Sequence, residues 1–151
     1  MRARGLVEEY PSVSVESDGL EAAQLLAQHR LPGLVVTAED GHPVAILPTS
    51  QVVRSVVPQY VQQDPVLAGV LDEKASDQIV HQLNRLKVRD MLPQPPMEVA
   101  VVDANDTALE VAAVMARLRC PLVAVVENGR LTGVVTASRL LEYALNDSSA
   151  T

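Results

Sequence analysis

The chain has 151 residues and a formal net charge of −7, an acidic balance that excludes a surface built to neutralise nucleic-acid phosphates. Hydrophobic residues make up 48% of the chain, enough for a core, and a single cysteine excludes an intramolecular disulfide framework. No apolar run reaches the roughly 20 residues of a membrane span, and the first residues lack the apolar centre of a signal peptide, so we expect a cytoplasmic protein without membrane insertion.

The first third of the chain predicts a strand, a helix, two strands and a second helix. Ser12–Val15 is typical of a short strand, and Asp18-Gly-Leu-Glu21 has the form of a capping box that begins a helix. That helix ends before Pro32, which precedes a Val-rich run typical of a buried strand. Asp40-Gly41 favours a tight hairpin before the next strand, and Ser50–Val57 predicts a short amphipathic helix.

Residues 58–86 predict a helical insertion. Asp64-Pro65 is typical of an N-cap followed by a proline in the first helical turn. Apolar residues then recur at helical spacing, at Ala75, Ile79, Leu83 and Leu86. This stripe is expected to be buried on its own module, across a dimer interface or over a cleft as a lid.

The second half of the chain repeats the pattern of the first. A strand at Glu98–Val102 precedes Thr107-Ala-Leu-Glu110, a second capping box, and the register then holds through a second proline, Pro121. Asn128-Gly129 predicts a second hairpin, with a one-residue slip against the first copy located in the turn. A strand at Leu131–Val135 leads into a closing helix.

The chain is therefore predicted to be an α+β protein with two pseudo-symmetric repeats, each strand-helix-strand-strand-helix. We place the first repeat at residues 1–57 and the second at 87–146, and expect residues 147–151 to form a frayed polar tail. One copy has too few layers to bury both faces of its sheet, so the copies should pack on each other into one module.

This arrangement resembles a tandem pair of CBS domains, the modules named after cystathionine β-synthase. The resemblance rests on KVRDML (87–92), on Leu109–Val125 and on GVVTASRLL (133–141), with weaker counterparts RARGLV (2–7) and AILPTSQVV (45–53) in the first copy. The motifs are loose individually, but their order, repeated twice, is more specific. The resemblance implies a homodimer whose clefts between the repeats bind AMP, ADP, ATP or S-adenosylmethionine and regulate a partner protein, such as an enzyme or a transporter.

The family's closing strand ends in a glycine, two apolar residues and a serine or threonine, and an aspartate follows three residues later. The second copy keeps Gly133 and Thr136 but has Arg139 in place of the aspartate, which implies loss of the acceptor for ribose hydroxyls. The first copy departs at all three positions, which hold Ala45, Pro48 and Gln51. Arg139 cannot accept a hydrogen bond but can pair with a phosphate. The absence of the aspartate from both copies leaves three options: a ligand more anionic than AMP or ATP, a ligand held in a different way, or no ligand.

We expect the better ligand site in the second copy, with a weaker counterpart in the first. The candidate residues of the second copy are Thr136, Ser138 and Arg139, with Val101, Pro121 and Leu122 as an apolar or backbone wall. Those of the first copy are Pro32, Thr49 and Gln51. The structural alternative is that the hydroxyls cap a helix, the prolines end one, and the apolar side chains belong to the core.

No pattern in the sequence predicts catalysis or a metal site. His29, His42 and His81 share no ligand spacing, Cys120 is typical of a packed apolar residue, and Glu8 and Glu9 are typical of a solvated face. The chain is therefore predicted not to be an enzyme. Two functions stay open: a stand-alone regulatory module that senses a small anionic ligand, or a ligand-free structural, dimerisation or protein-interaction module.

Overall fold

The computed structural model describes residues 1–64, 66, 69 and 74–149, with backbone only for 74–76 and 147–149. The helices are α1 (Ala3–Leu6), α2 (Gly19–His29), α3 (Thr49–Val56), α4 (Gln59–Gln63), α5 (Lys74–Arg85), α6 (Val88–Met91), α7 (Ala108–Leu118) and α8 (Ala137–Ser149). The strands are β1 (Val13–Ser14), β2 (Gly33–Thr37), β3 (Pro43–Pro48), β4 (Val101–Asp103), β5 (Leu122–Glu127) and β6 (Arg130–Thr136).

The strands form two three-stranded sheets, in the orders β1-β2-β3 and β4-β5-β6. The predicted strand-helix-strand-strand-helix order occurs twice, as β1-α2-β2-β3-α3 and as β4-α7-β5-β6-α8. In the second sheet β4 runs parallel to β5, and β5 runs antiparallel to β6. The α+β fold built from two repeats is thereby confirmed.

The first helices of the two repeats end alike but begin differently. Both α2 and α7 end at an arginine in the left-handed conformation, Arg30 and Arg119, each with φ of 52°. Thr107 caps α7 as predicted, its Oγ1 accepting from the N–H of Glu110 at 3.2 Å. The capping box predicted at Asp18 is wrong, because that carboxylate makes no cap hydrogen bond. The start of α2 is fixed instead by Gly19, whose N–H donates to the Leu86 carbonyl at 2.7 Å.

The two predicted hairpins differ in length. Asn128 and Gly129 both have positive φ, 55° and 79°, and form a two-residue turn between the paired residues Glu127 and Arg130. In the first copy only Gly41 of the predicted dipeptide has positive φ, at 84°, and the loop is wider, closed by a 2.9 Å bond from the Ala38 N–H to the His42 carbonyl. The wider loop accounts for the one-residue slip between the copies.

The chain divides into two compact units, each assembled from separate segments. Unit 1 contains Met1–Ser12, Val35–Ile46 and Met97–Thr151, and unit 2 contains Val13–Leu34 and Leu47–Pro96. The units therefore cut across the predicted repeats 1–57 and 87–146, whose boundaries stay a prediction from the sequence. Within unit 1, α1 docks on the loop before α7, since the Ala3 N–H donates to Asp106 O at 2.7 Å and the Arg4 N–H donates to Ala104 O at 2.9 Å.

The second sheet buries both of its faces within unit 1. One face packs against α1 and α7 in a cluster that contains Ala3, Leu6, Val102, Val111, Met115, Val123, Val125 and Val135. The other face carries Leu122, Ala124 and Val134, which pack with Val35, and Tyr10, Ile46, Val101 and Leu131 lie partly buried around them. Burial on both faces explains why β5 is a continuous apolar run without alternation.

Unit 2 holds most of the predicted insertion. Helices α4 and α5 occupy its described parts, and Leu83 of α5 is buried where this helix contacts α2 and α3, whereas Ile79 and Val80 are exposed. Pro65 and the side chain of Ala75 lie outside the described residues. None of the helices in the described part of the chain is long and apolar enough to cross a bilayer. At the other end of the chain, α8 continues through Ser149, beyond the point where the tail was expected to fray.

Candidate functional site

The turn from β6 into α8 carries the three polar candidates of the second copy. Its backbone is fixed by the N–H of Ala137, which donates to the Pro121 carbonyl at 2.8 Å. The Thr136 side chain is only 9% exposed, and its Oγ1 accepts from the Arg139 N–H at 3.1 Å. Thr136 is therefore the N-cap of α8, which satisfies one of the N–H groups left over at a helix start.

Ser138 and Arg139 follow this cap, and their side chains are held by fewer or weaker contacts than that of Thr136. The Ser138 side chain is exposed and forms no hydrogen bond with any residue that the structure describes. Arg139 is 34% exposed, and its Nη1 lies 3.4 Å from Oε1 of Glu142, one helical turn further on. An exposed pair of this kind contributes little to stability and is easily exchanged for another anion. This turn therefore presents a hydroxyl and a guanidinium at the N-terminus of a long helix.

The apolar wall predicted for this site is largely internal. Val101, Leu122 and Thr136 lie on one face of the second sheet, because Val101 pairs with Ala124, Ala124 with Val134, and Leu122 with Thr136. Leu122 is 1% exposed and belongs to the apolar cluster on that face, while Val101 is partly buried at its side. Leu122 is therefore a core residue, and only Val101 and the half-buried Pro121 lie near the surface.

The corresponding turn of the first copy has the same backbone frame, and two of its polar side chains, Thr49 and Gln51, are already hydrogen-bonded, while Ser50 is exposed like Ser138. The Thr49 N–H donates to the Pro32 carbonyl at 2.9 Å, as Ala137 does to Pro121. The Thr49 hydroxyl donates to the Leu31 carbonyl at 2.7 Å, and Nε2 of Gln51 donates to the Met91 carbonyl at 2.9 Å. The structure thus places Pro32, Thr49 and Gln51 together, in unit 2, and the second-copy candidates together, in unit 1.

Gly133 is fixed by close packing with the N-terminal segment. A Cβ atom added at Gly133 would lie 2.5 Å from the Glu8 carbonyl oxygen and 2.7 Å from Cγ2 of Val7. The segment pairs here with β6, since the Glu8 N–H donates to Val134 O at 2.8 Å and the Val134 N–H donates to Glu8 O at 2.9 Å. The glycine of the GVVTASRLL motif therefore allows two backbones to approach.

Glu8 and Tyr10 were missed as members of this region. Val7 packs against the cluster on one face of the second sheet and Tyr10 against the cluster on the other, so Glu8 and Tyr10 point to the face that carries Val134 and Thr136. Glu8 is half-buried, whereas its neighbour Glu9 is exposed. The signal that could have found them is the alternation of Val7, Glu8, Glu9 and Tyr10, which is typical of a strand.

Tyr10 holds the Glu8 carboxylate. Its hydroxyl donates to Oε2 of Glu8 at 3.1 Å. This hydrogen bond is the main cause that raises the pKa of Tyr10 above its ordinary value, with burial and the charge of Glu8 acting in the same direction. Tyr10 therefore stays protonated and a donor throughout the physiological pH range.

Metal-ligand clusters and a low-pKa thiol are absent from the residues that the structure describes. Over the described ranges of the chain, no group of three His, Cys, Asp or Glu side chains is placed to hold a metal ion. Burial raises the pKa of the Cys120 thiol, so this residue is protonated at neutral pH.

The comparisons with known proteins agree on the family. The CBS domain family model matches residues 88–146. A CBS-domain-containing protein of unknown function from Kribbella flavida DSM 17836 is 54% identical in its crystal structure, with 96% of this chain and 99% of that chain covered and a TM-score of 0.84. No curated protein matches the chain.

Two more distant structures are similar in fold alone. The CBS domain of a membrane protein from Sphaerobacter thermophilus is 20% identical, with 94% of this chain and 86% of that chain covered and a TM-score of 0.70. The crystal structure of CBSX2 in complex with AMP is 14% identical, with 97% and 98% covered and a TM-score of 0.69.

Proposed function

The chain belongs to the CBS-domain family and carries two CBS repeats in tandem, and from that premise we propose that it is a regulatory module that binds an anionic, adenosyl-type ligand at the turn between β6 and α8. The observation that carries the proposal is the state of this turn: Thr136 caps the helix, while Ser138 is exposed and Arg139 has only a weak partner in Glu142. The candidate site includes Val101 and the Pro121 backbone at its side, with Leu122 beneath them.

The chemistry of the turn favours a phosphate-bearing ligand. A helix N-terminus carries a partial positive charge, and a guanidinium recognises phosphate with two parallel hydrogen bonds. AMP, ADP and ATP therefore fit Arg139 better than S-adenosylmethionine, whose sulfonium is itself a cation. The AMP complex of CBSX2, a protein with the same fold, supports an adenine nucleotide as the first ligand to test.

In this proposal the module acts without a chemical step. Ligand binding shifts the population between arrangements of the repeats by its differential affinity for them. The module works as a homodimer in the cytoplasm and passes this shift to a partner protein, an enzyme or a transporter.

One observation favours the alternative, a ligand-free structural or interaction module. In the first copy Thr49 and Gln51 already donate to backbone carbonyls of unit 2, so these two side chains are satisfied without a ligand. If the polar side chains of the second turn were also hydrogen-bonded within the protein in solution, the repeats would serve only to build a rigid interaction surface.

A ligand panel distinguishes the two functions. We expect AMP, ADP or ATP to raise the melting temperature of the protein in a thermal-shift series that also contains S-adenosylmethionine and NAD. At a ligand concentration of about 100 Kd, binding to the folded state adds about 2.7 kcal/mol, or roughly 5 to 10 °C for a chain of this size. No shift with any of the five at millimolar concentration would reject the sensor and leave the interaction module.

A further inference from the structure

Unit 2 contains a cavity at the corner between α3 and α4. Its volume is about 330 Å³, and it is lined by Arg54 and Val57 from the end of α3 and by Gln59 and Gln62 of α4. This volume lies at the lower end of the range for sites that hold small molecules. None of these four residues belongs to the candidate sites at the two strand-to-helix turns.

Arg54 lines this cavity with donors that have no partner. Its side chain is exposed and forms neither a hydrogen bond nor an ion pair with any residue that the structure describes. A guanidinium has five N–H donors in a planar fork that matches the two oxygens of a carboxylate. Its place in the last turn of α3 stabilises that helix with or without a ligand. The cavity beside the unpaired guanidinium is what points to a bound carboxylate.

Gln62 lines the same cavity with an amide whose orientation is fixed. Its Nε2 donates to the Arg54 carbonyl at 3.1 Å and to the Val57 carbonyl at 2.8 Å. Because a carbonyl oxygen only accepts, both hydrogens of the amide nitrogen are used, and Oε1 has no donor among the described residues. Any hydrogen bond between the Gln62 amide and a molecule in the cavity therefore uses Oε1 as the acceptor.

The charges around the cavity favour a zwitterion over a simple anion. Val57 ends α3, and the C-terminal end of a helix carries a partial negative charge that attracts cations. Arg54 is the one cation among the four lining residues of a chain whose net charge is −7. A molecule with a carboxylate for Arg54 and an ammonium group for Oε1 of Gln62 matches both the charges and the hydrogen-bonding groups.

We propose that this cavity binds a free α-amino acid, with its carboxylate on the Arg54 guanidinium and its ammonium group donating to Oε1 of Gln62. Val57 and Gln59 offer an apolar and a polar surface to the side chain of the amino acid. The site is independent of the turn between β6 and α8, and it gives the module a second ligand of a different chemical class.

Matched ligands test the two ends of the amino acid. L-Leucine and L-glutamine are each compared with the analogue that lacks the amino group, isocaproate or glutaramate, and with the α-carboxamide, which lacks the carboxylate. NMR titration of the isotope-labelled protein measures the affinities. We expect at least one of the two amino acids to bind with a Kd of about 1 mM. Both of its analogues should bind about 10-fold more weakly, because each loses a hydrogen bond to a charged group.

Arg54→Gln tests the carboxylate contact against a matched control. Arg85→Gln makes the same charge change at an exposed arginine in the last turn of α5, in the same unit. We expect Arg54→Gln to weaken the amino acid about 10-fold or more and to leave the affinity of its α-carboxamide unchanged. Arg85→Gln should match the wild-type protein with both ligands. A merely structural role of Arg54 would weaken the two ligands equally.

Three results would overturn the assignment. The first is the absence of saturable chemical-shift changes with either amino acid. The second is an analogue without the amino group that binds as tightly as its parent, which would mean that the cavity holds a plain carboxylate and that Gln62 is not a contact. The third is an equal effect of Arg54→Gln and Arg85→Gln, which would mean that the ligand responds to net charge alone.

Discussion

The two strand-to-helix turns of this chain have one backbone design and two different uses of their side chains. In each, the first N–H of the closing helix donates to the carbonyl of a proline, Thr49 to Pro32 and Ala137 to Pro121. In the first copy Thr49 and Gln51 donate to backbone carbonyls, whereas the second has Ala137 in place of Thr49 and a loosely paired Arg139 in place of Gln51. The serine that follows, Ser50 or Ser138, is exposed in both turns. The backbone architecture is thus common to both turns, and we expect the capacity to bind a ligand to depend on which polar groups the turn already satisfies.

The largest effect is expected at the glycine that the first copy lacks. Gly133→Ala places a methyl group against the Glu8 carbonyl, and overpacking of this kind costs typically 1–3 kcal/mol. We therefore expect the melting temperature to fall by about 2 to 12 °C in calorimetry. Ala45→Gly, the reciprocal change in the first copy, is the control and should cost less than about 1 kcal/mol. Equal losses for the two variants would contradict the close packing argued for Gly133.

The next effect concerns ligand binding through Arg139. Arg139→Ala removes the cation beside Ser138, so we expect ATP affinity to fall about 10-fold while adenosine affinity changes less than 2-fold, measured by titration calorimetry. Arg130→Ala removes the same charge from the exposed hairpin of the same unit and should leave both affinities unchanged. Equal weakening of ATP and adenosine by Arg139→Ala would contradict a phosphate contact.

The hydroxyls of the two turns should respond in opposite ways. Thr49→Val removes the donor to Leu31, so we expect a loss of about 1 kcal/mol in the free energy of unfolding and no change in ligand affinity. Ser138→Ala should leave the free energy of unfolding unchanged within about 0.5 kcal/mol and weaken ATP several-fold. Denaturant unfolding and calorimetry on the two variants check both values. If Ser138→Ala destabilises the fold as much as Thr49→Val does, the Ser138 hydroxyl is hydrogen-bonded within the protein as the Thr49 hydroxyl is.

The smallest effect tests a feature that the two copies share. Arg30 and Arg119 both end a helix in the left-handed conformation, which a glycine adopts more readily. We expect Arg30→Gly and Arg119→Gly each to raise the free energy of unfolding by about 0.5 kcal/mol, since relief of the backbone outweighs the lost attraction to the helix dipole. Effects of opposite sign in the two copies would mean that one arginine has a partner of its own.

Local signals in the sequence were sufficient to predict the order of the helices and strands. Prolines, a Thr cap and an Asn-Gly turn act through backbone groups only a few residues away, so they predict where helices and hairpins begin and end. The exception at Asp18 is instructive, because the start of α2 is fixed by Leu86, a residue far along the chain. Local propensity could not reveal that contact.

The contents of the candidate site depended more on distant contacts. The bond between Gln51 and Met91 joins residues 40 positions apart, and Glu8 is half-buried where it pairs with Val134, more than a hundred residues later. For Thr136 the sequence left open a helix cap and a ligand contact, and the cap forms with a partner only three residues away. The sequence therefore indicated the local bonds of the second turn but not the groups that approach it from other segments.

The central claim, that only the second turn binds a ligand, is tested most directly by the stoichiometry of ATP binding in titration calorimetry. We predict one ATP per chain in the wild-type protein and an unchanged affinity in the double variant Thr49→Val with Gln51→Leu, whereas the double variant Ser138→Ala with Arg139→Ala should bind ATP about 30-fold more weakly. Two ATP molecules per chain, or an affinity that the second-copy substitutions leave unchanged, would contradict it.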